Sequence, residues 1–122
     1  MRGASGVGDR RYRPDPGVVD RAVDAIARSC RPQRIIVFGS FARGDTHELS
    51  DLDLIVVAKT EERFFDRIGR ARDACADLDI EVRPFVYTPE ELAQMLDQGN
   101  AFLETALAEG RVAYESPDGR ED

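Results

Sequence analysis

The chain has 122 residues, 42 % of them hydrophobic, and a formal net charge of −7. That length predicts one domain with a small core, and the acidic balance argues against a general nucleic-acid-binding surface, which is usually basic. No apolar run approaches membrane length and no signal-peptide pattern opens the chain, so a cytoplasmic protein without a membrane segment is expected.

Residues 1–16 are rich in Gly, Arg, Asp and Pro with no apolar period, which predicts a disordered tail ahead of a domain over 17–115. Val18, Val19, Ala22, Val23, Ile26, Ala27 and Cys30 recur at helical spacing, opposite Asp20, Arg21, Asp24 and Arg28. The pattern is an amphipathic helix whose apolar stripe covers a sheet, ended by Pro32. Cys30 and Cys75 lack metal-ligand spacing and read as small buried residues of a reduced protein. Arg34 to Phe38 is a first strand, apolar enough for burial on both faces and hence a central position.

A polar connection opened by Gly39-Ser40 follows, and Leu52 to Ala58 forms the second strand. Thr60 can cap a helix that carries Phe64, Phe65, Ile68, Ala71, Ala74, Cys75 and Leu78 as its apolar face, the two phenylalanines reading as core. Asp79 to Tyr87 reads as a third strand. Thr88-Pro89-Glu90-Glu91 is a helix start with a capping box, and Leu92, Met95 and Leu96 point inward. Gln98-Gly99 breaks that helix and Asn100 caps the next, whose apolar positions are Phe102, Leu103, Ala106 and Leu107. Gly110 stops it, Arg111 to Tyr114 can add an edge strand, and 116–122 reads as a second disordered tail. The fold class is α/β (α+β), a single small domain with a sheet flanked by helices.

The chemistry gathers around two stretches, Gly39-Ser40-Phe41-Ala42-Arg43-Gly44 and Ser50-Asp51-Leu52-Asp53-Leu54. Side chains two apart on a strand share a face, about 6.5–7 Å apart. Asp51 and Asp53 therefore look out together, with Leu52 and Leu54 turned away. Adjacent carboxylates repel unless a cation sits between them, and oxygen-only sites of this kind suit Mg²⁺, which shares substrate phosphates. Glycine lets backbone approach a phosphate closely, and Arg43 beside the turn can pair with phosphate oxygens. A phosphate cradle with metal carboxylates describes phosphoryl or nucleotidyl transfer. His47, Asp45 and Glu48 lie in the same loop and receive no role.

Gly39-Ser-Phe-Ala-Arg-Gly-Asp45 with Ser50-Asp-Leu-Asp-Leu54 resembles the signature of the DNA polymerase β-like nucleotidyltransferases. Among them it looks most like the small, single-domain minimal nucleotidyltransferases, over about Arg34 to Tyr114. The resemblance implies a nucleotidyltransferase-type mixed sheet flanked by helices, two Mg²⁺ ions, and transfer of a nucleoside monophosphate from a triphosphate such as ATP. Carried over by position, Gly39 and Ser40 hold the triphosphate, and Asp51 and Asp53 hold the metals. The family also needs a third carboxylate on the neighbouring strand. Asp79, Glu81 and Arg83 share one face there. Glu81 is the expected ligand, with Asp79 second. The alternative sets Arg83 in that place, leaving nucleotide binding intact and catalysis in doubt.

Residue chemistry alone supports metal-dependent nucleotidyl transfer. The resemblance adds an antitoxin that moves AMP onto a hydroxyl of a HEPN-type helical toxin. Two other functions stand beside it: a binding protein that neutralises its partner by contact, and an aminoglycoside-type enzyme acting on small molecules. A homo-oligomer is left open.

Overall fold

The computed structural model describes residues 17–47 and 49–117. The tail expected over 1–16, Glu48, and the end of the tail expected over 116–122 lie outside the described residues. Among the described residues, no helix is long and apolar enough to cross a membrane.

Helix α1 spans Val18–Cys30, β1 Arg34–Phe38, α2 Ser40–Arg43, β2 Leu52–Val57, α3 Phe64–Ala74, β3 Val82–Tyr87, α4 Pro89–Asp97, α5 Ala101–Glu109 and β4 Arg111–Glu115. The strands form one mixed sheet in the order β3-β2-β1-β4. β1 runs antiparallel to both β2 and β4, whereas β2 and β3 are parallel. Antiparallel neighbours need only a short connection, and the segment holding α2 supplies it. The parallel pair needs a crossover, and α3 supplies that.

Strand alternation divides the core between the two faces of the sheet. Ile35 and Val37 of β1 and Leu52, Leu54 and Val56 of β2 pack with Ala22, Val23 and Ile26 of α1 and with Ala71 and Cys75. Ile36, Phe38, Ile55, Val57 and Tyr87 pack on the other face against Leu103 and Ala106 of α5. Burying each large aliphatic side chain contributes roughly 1.5–3 kcal/mol, so the two central strands hold the domain together. Burial pushes the Cys75 thiol up to about 11, in keeping with a small apolar core residue.

The capping box forms as expected. Thr88 Oγ1 accepts from the Glu91 amide at 3.0 Å, and Glu91 Oε1 accepts from the Thr88 amide at 2.9 Å. Asn100 caps α5 through the Leu103 amide. The edge strand β4 also forms, and Ser116 beyond it is buried, its amide donating to Gln33 O at 2.9 Å.

Three expectations are corrected. α3 begins at Phe64, because Thr60 Oγ1 accepts from the Glu62 amide in a turn of its own. The inward stripe of α3 is Arg67, Ala71 and Cys75, which leaves both phenylalanines out of the core, Phe64 37 % and Phe65 80 % exposed. Arg67 can occupy that stripe because its guanidinium donates to Glu62 O, Val86 O and both oxygens of Glu91. Finally, β3 starts at Val82, since its partner β2 starts at Leu52 and the ladder sets those two residues opposite.

Candidate active site

The end of the sheet where β1 stops and β2 starts carries the candidate chemistry. Phe38, the last residue of β1, pairs with Asp53. The next residue, Gly39, turns with φ 73° and ψ −152°, a region that side chains other than glycine's rarely enter. A Cβ at Gly39 would stand 2.5 Å from Oδ2 of Asp53. The glycine therefore serves two needs: it makes the turn, and it lets a carboxylate lie against the backbone. The Ala42 and Arg43 amides both donate to Gly39 O, which winds the chain into α2 with Ser40 as its first residue.

Leu52 and Leu54 point into the core between the sheet and α1, so Asp53 emerges on the opposite face with Ile55 and Val57. Asp51 lies one step earlier on the same side, where one residue, Arg83, reaches both acids. Its Nη1 is 3.4 Å from Oδ2 of Asp51 and its Nε is 3.1 Å from Oδ1 of Asp53. The second contact is an approach of charges and not an aligned hydrogen bond: Oδ1 is nearly inaccessible to solvent yet accepts no hydrogen bond among the described residues. Burial pushes the Asp53 carboxyl above its ordinary value, Arg83 pulls it back, and Asp51 adds to the rise.

The two nominees for third acid part company here. Glu81 is not brought to the pair. It precedes β3, its backbone carbonyl accepts from the Leu52 amide at 2.9 Å, and its carboxylate pairs with Arg72 at 2.8 Å. Asp79 lies further back, in the exposed bend between α3 and β3. The residue opposite Asp53 in the ladder is Arg83. Among the described residues, no three acidic, histidine or cysteine side chains converge on a point that could hold a metal. The donor set present is a pair of carboxylates, one with an unsatisfied buried oxygen, which suits one hard divalent cation completing its shell from water and phosphate.

Glu109, the last residue of α5, also enters the site and received no role from the sequence. Its Oε2 accepts from the Gly39 amide at 2.9 Å, and Arg43 Nη1 lies 3.2 and 3.3 Å from its two oxygens. Arg43 Nε also donates to Asp45 at 3.1 Å. His47 stays in the exposed loop, its Nδ1 accepting from the Leu49 amide. Gly39, Arg43, Asp51 and Asp53 are thus brought together with two residues of unlike sign, Arg83 and Glu109.

The chain belongs to the nucleotidyltransferase domain family, whose model matches residues 19–105. It is 31 % identical over 90 residues to MJ1305 and 33 % identical over 86 residues to MJ0604, two candidate protein adenylyltransferases of Methanocaldococcus jannaschii. Those matches take in 65 % and 69 % of this chain, and it spans 61 % of MJ1305 and 80 % of MJ0604. In fold it resembles a candidate nucleotidyltransferase from Sulfolobus solfataricus, with TM-score 0.55, 22 % identity, and 84 % of this chain and 82 % of that one covered. It also resembles a toxin–antitoxin structure with AMP-PNP, with TM-score 0.54, 18 % identity, and 80 % and 73 % covered.

Proposed function

We propose that this protein transfers AMP from ATP to a hydroxyl group on a partner protein, acting as the antitoxin of a toxin–antitoxin pair. The observation that carries the reading is the packing of Asp53 against Gly39, which joins carboxylates for a cation to a backbone turn that admits phosphate. The candidate adenylyltransferases among its relatives support the nucleotide and the protein acceptor. The toxin–antitoxin neighbour supports the pairing, and a HEPN-type helical toxin is the proposed partner.

Asp51 and Asp53 would hold the Mg²⁺ that the family implies. Bound there, the cation would neutralise charge on the phosphates and on the departing pyrophosphate. The Gly39 amide and Arg43 orient the outer phosphates, and Ser40 opens the segment that follows. The acceptor oxygen bonds to the α-phosphorus in line while the bond to the bridging oxygen breaks. Pyrophosphate leaves with the electron pair, and the hydroxyl proton passes to solvent. Arg83, beside both acids, is placed to pair with a phosphate oxygen once a cation takes over the carboxylates.

Arg83 also favours a second reading, in which the chain neutralises its partner by contact without catalysis, because a fixed cation already balances the acid pair. Incubating the protein with α-labelled ATP, Mg²⁺ and the protein encoded beside it separates the two. Label fixed covalently on the partner supports transfer; a stable unlabelled complex supports contact.

A further inference from the structure

We infer that Glu109 is a built-in competitor for the phosphate site: its carboxylate occupies the donors that a triphosphate must take. The inference rests on the reading of the Gly39 turn and Arg43 as phosphate ligands, and it adds a regulation of that site.

The contact is specific in its donors. Oε2 of Glu109 accepts from the Gly39 amide, and the Arg43 guanidinium contacts both carboxylate oxygens. A backbone N–H and one guanidinium nitrogen, Nη1, together hold the carboxylate, and the same donors suit a phosphate's oxygens. The partners are 70 residues apart in sequence, so the contact belongs to the tertiary fold and not to a local turn.

The position is also costly for α5 itself. Glu109 ends that helix, where the backbone dipole disfavours negative charge. The next residue holds it there. A Cβ on Gly110 would stand 2.7 Å from Ala106 O, 2.8 Å from Ile36 Cγ2 and 2.9 Å from Val37 O, so glycine lets the end of α5 press onto β1. That close approach aims Glu109 across the end of β1 at Gly39. The side chain is 25 % exposed, and Arg43 beside it is 49 % exposed, so the carboxylate can swing out without opening the core.

With Glu109 in place, an incoming triphosphate meets a like charge on its own donors. Removal of that charge should tighten binding, a gain that mere structural damage would not produce. The test titrates tripolyphosphate, and separately AMP-PNP with Mg²⁺, into the whole chain and into Glu109→Gln and Glu109→Ala. Thermal melts report folding, and an amide spectrum follows Gly39. Glu109→Gln keeps the size and a neutral acceptor, so it remains readable if the alanine variant does not fold.

The expected result is about tenfold tighter binding of both ligands by Glu109→Gln, with the Gly39 amide resonance shifted before any ligand is added. Tighter binding of tripolyphosphate without tighter AMP-PNP upholds the competitor and counts against the nucleotide reading. Unchanged or weaker binding of both by a folded Glu109→Gln overturns the competitor. So does failure of tripolyphosphate to bind to any of the three proteins.

Discussion

Arg83 Nε lies 3.1 Å from Oδ1 of Asp53, and the parallel ladder between β2 and β3 sets these two residues directly opposite. A cation therefore stands beside the acid pair. Arg83 is 55 % exposed and makes no aligned hydrogen bond to Asp53, so an incoming metal ion can displace it. Arg83→Asp replaces the internal cation with a third carboxylate on the same face. Its affinity for Mg²⁺, followed by calorimetry, should rise by about tenfold. An affinity equal to that of the unaltered protein would show that position 83 does not face the cation.

Gly39→Ala tests the turn. The added Cβ meets Oδ2 of Asp53 at 2.5 Å in a backbone conformation with φ 73°, so either the turn or the carboxylate must move. A stability loss of about 1–3 kcal/mol in urea unfolding is expected, together with loss of AMP-PNP binding. Full stability with full binding would mean that the turn is looser than described.

The Thr88–Glu91–Arg67 network sets an acid limit on stability. Hydrogen bonds from Arg67 hold the Glu91 carboxyl below its ordinary 4.5, with burial opposing. A carboxyl lowered in the folded state stabilises the fold above its unfolded pKa, and that contribution fades as pH falls through the folded value. Glu91→Gln should therefore lower the melting temperature near neutral pH and flatten the decline below pH 4.5. Thr88→Ala, which removes only the cap, should cost about 1 kcal/mol. Parallel acid limbs for Glu91→Gln and the unaltered protein would contradict the assignment.

Phe65 and Leu103 differ in burial despite both being apolar helix residues. Phe65→Ser should change stability by no more than about 0.5 kcal/mol, whereas Leu103→Ala should cost about 2–5 kcal/mol. Chemical denaturation of the two variants checks the orientation of α3; a large loss for Phe65→Ser would return that ring to the core.

The sequence carried some of these features openly and hid others. The strands around the site were legible because Ile35 to Phe38 and Leu54 to Val57 are apolar on both faces, and only central strands need that. Asp51 and Asp53 were legible as a pair because alternation with Leu52 and Leu54 fixes their side. The third position was not. Glu81 and Arg83 share a face by alternation, and only the pairing of Leu52 with Val82 decides which one meets Asp53. Phe65 misled because it is apolar, while the polar Arg67 fills the inward position by satisfying its guanidinium on three neighbours. Glu109 gave one small signal, an acid closing a helix just before a glycine, where a basic residue is the usual choice. Its partner Gly39 is set by tertiary folding, which no local pattern reveals.

The proposed AMP transfer depends on the Asp51–Asp53 pair beside Gly39. Its most direct test is fixation of α-labelled AMP on the partner protein by the unaltered chain and by Asp53→Asn, with Mg²⁺ present and folding checked by thermal melt. Labelled partner is expected with the unaltered chain and none with a folded Asp53→Asn. Equal labelling by both would contradict it.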